Sequence, residues 1–86
     1  MNIIKKQIEC TSLDVARTGD KINEILIKND CTVKELQRML NLSCPQSVYR
    51  WGRGKAMPSV DNLYMISKIF GVSMEELLVE RGEKQD

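Results

Sequence analysis

The chain has 86 residues, with 13 Lys and Arg against 12 Asp and Glu, a net charge of +1, and no histidine. That length suits one small domain, and no apolar run approaches the roughly 18 residues a membrane span needs. The missing histidine removes every Ser-His or Cys-His pair, and no motif brings two carboxylates together, so the sequence assigns no catalytic residue.

At the N-terminus, Ile8, Cys10, Leu13 and Val15 follow neither a helical nor a strand period, which predicts an extended arm over residues 1–18, partly packed or disordered. After about position 20 the apolar residues recur at helical spacing. Ile22, Ile25 and Leu26 predict a first helix running to about Asn29. Thr32-Val-Lys-Glu35 is a capping box that opens a second helix, with Val33, Leu36, Met39 and Leu40 inward. Asn41 to Cys44 break the period, and Pro45 suits the first position of a third helix, where its missing N–H costs nothing. Gly54 can end that helix in the left-handed conformation. Ser59 caps a fourth helix with Val60, Leu63, Ile66, Ile69 and Phe70 inward, and Gly71 stops it. Ser73-Met-Glu-Glu76 is a second capping box, starting a fifth helix through Leu77 and Leu78. The reading is all-α: one five-helix domain over residues 19–81, with no strand past residue 20 and a flexible tail at 82–86.

Cys10, Cys31 and Cys44 are odd in number and share no metal-ligand spacing. They are expected as reduced thiols packed inside, with no metal site and no cofactor. The apolar stretch in Met1 to Lys6 is too short for a signal peptide, which predicts a cytoplasmic protein without a membrane anchor.

The charge is unevenly placed. Residues 32–58 hold five bases (Lys34, Arg38, Arg50, Arg53, Lys55) against Glu35 alone, a balance of +4, whereas residues 59–86 come to −3. On an ideal helical wheel with Val48 at zero, Pro45, Trp51 and Gly52 fall within about 60°, on one side. Gln46, Arg50 and Arg53 fall roughly 140–160° away, and Tyr49 about 100°. Trp51 is thus expected as a core anchor, while an amide, two guanidiniums and a phenol face outward. A capped helix, a four-residue break and a short helix with a basic outer face are the parts of a helix-turn-helix. In that motif the second helix, here about 45–53, enters the major groove. The first, with Thr32 and Lys34 at its start, crosses the backbone. Arg can contact the guanine edge bidentately and Gln the adenine edge. Arg53 and Lys55, at the helix end and the loop after it, are placed to meet phosphate.

Several words of the sequence in this order carry a family resemblance: Thr32-x-x-Glu35-Leu36-x-x-x-Leu40, then Val48-x-x-Trp51-x-x-Gly54-Lys55-x-x-Pro58-Ser59. Leu63-x-x-Ile66-x-x-x-Phe70-Gly71-Val72-Ser73 and Glu76-Leu77-Leu78 follow. From about Gly19 to Leu78 the chain resembles the Cro/lambda-repressor-type (XRE family) helix-turn-helix proteins. The resemblance implies a compact lambda-repressor-like bundle and sequence-specific double-stranded DNA binding by a small transcriptional regulator, a repressor in the favoured reading. Carried over by position, Gln46, Ser47 and Arg50 match base-reading places, with Tyr49 beside them on the outer face. Arg53 and Lys55 match backbone-contacting ones, and Thr32 and Lys34 are expected at the backbone with them. Three residues depart from the family pattern: Val33 where Gln often contacts phosphate, Gly52 after the Trp, and Cys44 in place of a capping Ser.

A short helix reads only a few base pairs, so a homodimer on a pseudo-palindromic operator is expected. Two surfaces are available for pairing. One is the fifth helix region, with Met74, Leu77, Leu78 and Val79; the other is the arm, with Ile3, Ile4 and Ile8. The fifth helix is the favoured one. The alternative function is a protein-interaction module of the same fold, an antitoxin-like or accessory subunit with a protein partner and secondary DNA contact. Single-stranded nucleic acid binding lacks the interleaved aromatics it needs.

Overall fold

Asp14 sets where the first helix begins. Its carboxylate accepts from the Arg17 amide at 2.9 Å, satisfying one of the amides that open a helix. The computed structural model describes residues 12–82, and among these five helices follow in order. They are α1 Val15–Lys28, α2 Val33–Met39, α3 Gln46–Gly52, α4 Val60–Phe70 and α5 Met74–Leu77. The all-α, five-helix architecture expected from the sequence is the observed one. No described helix is long and apolar enough to cross a membrane.

One core holds these short helices together. Ile22, Ile25 and Leu26 of α1 meet Leu36 of α2, Leu40 just after it, Val48 and Trp51 of α3, Leu63 and Ile66 of α4, and Leu77 of α5. α1 packs along α3 and touches α5, α2 packs on α3, and α4 packs on α5. Truncating any of these large side chains to Ala costs about 2–5 kcal/mol, a large part of a small domain's stability. The helix ends repeat one solution. Asp30 and Asn41 take positive φ of 52° and 58°, after which the Cys31 amide donates back to Leu26 O and the Leu42 amide to Gln37 O. Both are Schellman closures, and Asp and Asn are the residues other than Gly that tolerate the left-handed position best.

Three expectations need correction. The arm does not extend to residue 18, because α1 starts at Val15. Its inward stripe continues through Thr18 and Gly19, both buried but too small to register as apolar periodicity. Met39 is 43% exposed and Val60 72% exposed. Each lies about 80–90° around its helix from the mean direction of the core residues, so both sit on the flank. Cys44 is exposed in the α2–α3 turn and Cys31 is half-buried, so neither packs fully inside.

The start and the end of the described segment are tied together. Leu13 and Glu80 form an isolated antiparallel bridge. The Asp14 amide donates to Val79 O at 2.7 Å, and the Arg81 amide to Ser12 O at 2.8 Å. The Thr18 hydroxyl accepts from the Val79 amide at 3.1 Å, which gives this buried hydroxyl its partner. The contact is one isolated bridge and not a strand, so the all-α reading stands among the described residues. The rest of the expected arm, with Ile3, Ile4, Ile8 and Cys10, and the tail from residue 83 lie outside the described residues.

Candidate nucleic-acid interface

Two helices and a tight turn build this face. At the start of α2 the Thr32 hydroxyl accepts from the Glu35 amide at 3.1 Å, and a Glu35 carboxylate oxygen accepts from the Thr32 amide at 2.9 Å. That reciprocal cap fixes the first turn of α2 and places exposed Lys34 on it. At the far end of α2 the Gln37 side-chain amide donates to Leu42 O at 3.0 Å while the Leu42 amide donates to Gln37 O. The turn is therefore pinned before Pro45, whose αR backbone leads into α3 one residue later than expected.

α3 presents two faces. Val48 and Trp51 are buried; Gln46, Tyr49, Arg50 and Arg53 are exposed, and Ser47 is half-buried. The Arg53 guanidinium lies 5.9 Å from the centroid of the Tyr49 ring, one helical turn away, a cation–π spacing that steadies both side chains. The helix closes as a Schellman motif. Gly54, at φ 71°, donates to Trp51 O at 3.0 Å, and the Lys55 amide donates to Arg50 O at 2.9 Å. Lys55 is thereby held against the end of α3.

α1 anchors this helix from behind. Gly19 lies where a Cβ would overlap the Trp51 carbonyl oxygen. The Asn23 side-chain amide donates to Gly52 O at 3.2 Å, taking up a carbonyl at the end of α3. A Cβ on Gly52 would stand 2.8 Å from Asn23 Oδ1, so the bare residue after the Trp makes room for that amide. The roles of Gly19 and Asn23 are not visible in the sequence pattern around them. The available signal was Gly52 itself, since a glycine inside a short helix marks a close approach by a neighbour.

Charge on this face is one-sided. Lys34, Arg38, Arg50, Arg53 and Lys55 are all exposed. Among the described residues the ion pairs are Arg17–Asp14 and Lys21–Glu24, both at α1, so none of the five bases is paired with a carboxylate. Glu35, the acid within the segment, is engaged by its cap. Cys31, at the back of α2, has its thiol pushed up by burial first and by the Glu35 charge second.

The residues expected at a dimer surface are placed differently. Leu77 is fully buried and belongs to the core, not to a free surface. Met74 and Leu78 pack against the same core and Val79 is half-buried, so the apolar surplus of the fifth helix is largely used within the chain.

A capped helix crossing behind an exposed basic helix, joined by a pinned turn and backed by three further helices, defines a helix-turn-helix domain. The family described as Helix-turn-helix (HTH_3) matches residues 22–77, and the chain belongs to that family of DNA-binding transcription regulators. Among solved structures, the chain is similar to the restriction-modification controller protein C.AhdI from Aeromonas hydrophila. The TM-score is 0.67 at 19% sequence identity, over 74% of this chain and 96% of that one. No curated protein sequence matches it.

Proposed function

We propose that the chain is a small repressor that binds a pseudo-palindromic double-stranded operator as a homodimer, with α3 in the major groove. The observation that carries this is the set of five exposed bases on α2, α3 and the loop after them, unpaired among the described residues. A polyanion is the partner that such a set fits, and phosphate neutralisation supplies the sequence-independent part of DNA affinity. Gln46, Ser47, Tyr49 and Arg50 read base edges. Thr32, Lys34, Arg53 and Lys55 contact the backbone and fix the register. The likeness to a restriction-modification controller protein supports a regulator of this size.

The accessory-subunit reading gives that cationic face only a secondary role, and the direct test separates the two. Sequencing the duplexes that the purified protein enriches from a random pool should return a two-fold motif. Footprinting on it should show two protected half-sites about 10 base pairs apart, centre to centre. No enrichment over random DNA would sink sequence-specific recognition. One protected half-site with a single chain bound at saturation would sink the homodimer.

A further inference from the structure

The face of α4 that points away from the core is not uniformly polar. Asp61, Tyr64, Met65 and Lys68 stand at i, i+3, i+4 and i+7, and all four are exposed. They fill an arc about 100° wide, opposite the side where Leu63 and Ile66 are buried. An ordinary surface helix is polar there, yet its centre is two large apolar side chains, Tyr64 at 51% and Met65 at 41% exposure. Val60, 72% exposed, extends the apolar strip towards the helix start.

The charges at either end match each other. Asp61 and Lys68 lie equally far from the midpoint between Tyr64 and Met65. If a second copy packs its α4 antiparallel across that midpoint, Asp61 faces the partner's Lys68 and Lys68 faces the partner's Asp61. In the centre, Tyr64 meets the partner's Met65, a favourable sulfur–aromatic pairing. Helix-dipole complementarity explains an acid in the first turn and a base in the last. It does not explain the two apolar residues exposed between them. The Lys68 ammonium already sits 5.3 Å from the Tyr64 ring centroid, which holds the cation on this strip, and Asp61 has no ion pair among the described residues.

We infer that the homodimer forms through this self-complementary α4 strip, two copies of the chain packing α4 antiparallel about a two-fold axis between Tyr64 and Met65. The inference rests on the homodimer reading above and gives it a surface. One short strip covers less than the roughly 800 Å² per partner of a standard interface, so the free dimer is weak and DNA completes it.

The test uses charge reversal in the full chain. For each protein, affinity for an isolated half-site and for the full operator are measured, and their ratio reports coupling between the two copies. K68D and D61K should each lower that ratio at least about tenfold, as like charges then face each other. Half-site affinity, which reads the DNA contacts alone, gives the baseline. D61K/K68D in one chain should restore the ratio to within about threefold, because the reversed pair is again complementary. Single reversals that leave the ratio unchanged, or a double reversal that fails to recover it, overturn the α4 surface while the homodimer stands. A wild-type footprint of one half-site fails the homodimer reading itself, and the α4 surface with it.

Discussion

Gly19 of α1 and Trp51 of α3 meet so closely that any side chain on Gly19 would overlap the Trp51 carbonyl oxygen. The atom in the way is backbone and cannot rotate aside, so Gly19→Ala must push α1 off α3. Overpacking of this kind costs about 1–3 kcal/mol, and a fixed backbone neighbour puts it at the upper end. In a domain of this size each kcal/mol lowers Tm by about 4–8 °C. Thermal unfolding should show a drop of roughly 10 °C or more on that scale. Asp20→Ala next to it, on the exposed side, should stay within about 0.5 kcal/mol of wild type. Equal stability of Gly19→Ala and wild type would mean that the two helices do not touch there.

Asn23 and Gly52 should be energetically coupled. Asn23→Ala loses the bond to Gly52 O, about 0.5–1.5 kcal/mol. Gly52→Ala gains up to about 1 kcal/mol of helix propensity. In wild type, though, its Cβ must displace the Asn23 amide 2.8 Å away. Gly52→Ala should therefore be more favourable in the Asn23→Ala background, with a coupling of at least about 0.5 kcal/mol in a urea double-mutant cycle. Strict additivity would remove Asn23 as the support of α3.

The contrast between these contacts and the capping signals shows what a sequence reveals. Thr32 with Glu35, and Ser73 with Glu76, could be read directly because a cap is a local exchange of hydrogen bonds between residues three apart. The inward turn of Val48 and Trp51 followed from the helical period alone. Gly19 and Asn23 act across 32 and 29 residues of chain, on partners that only the packing of α1 against α3 defines. The pairing of residues 12–14 with 79–81 is similarly remote, made of backbone groups that leave no side-chain pattern. Met39 and Val60 depart from the predicted stripe for a different reason: a residue on its flank has the same composition signal as one at its centre.

Glu76 should give the fold part of its acid sensitivity. The Ser73 amide, donating to the Glu76 carboxylate at 2.9 Å, is the main reason the carboxyl lies below its ordinary value. The Ser73 hydroxyl, Lys21 and Lys28 add to this against some desolvation. A value depressed in the folded state means stability that is present above the unfolded value and lost as pH falls through the folded one. Glu76→Gln keeps an acceptor for the cap but cannot titrate. Its Tm should fall less steeply than wild type on acidification, and parallel Tm–pH curves would exclude the linkage.

Arg50 and Lys55 should separate base reading from backbone contact, although the end of α3 binds them together. The Lys55 amide donates to Arg50 O, yet the two side chains leave from a helix and from the loop beyond it. Arg50 is on the exposed face of α3, and in the proposed complex its guanidinium reads a guanine edge. Arg50→Ala should cost about 1–3 kcal/mol on the selected operator and relax preference at one base pair per half-site. Lys55 carries a point charge on a flexible stem and gains most from a phosphate oxygen. Lys55→Ala should weaken binding about equally on selected and random duplexes, and reduce the log-affinity against log-salt slope by about 1 per chain. Both side chains are exposed, so melting temperatures should stay near wild type and keep the comparison free of folding effects. Equal losses on selected and random DNA for Arg50→Ala would reassign it to the backbone. An unchanged salt slope for Lys55→Ala would place the loop after α3 away from the duplex.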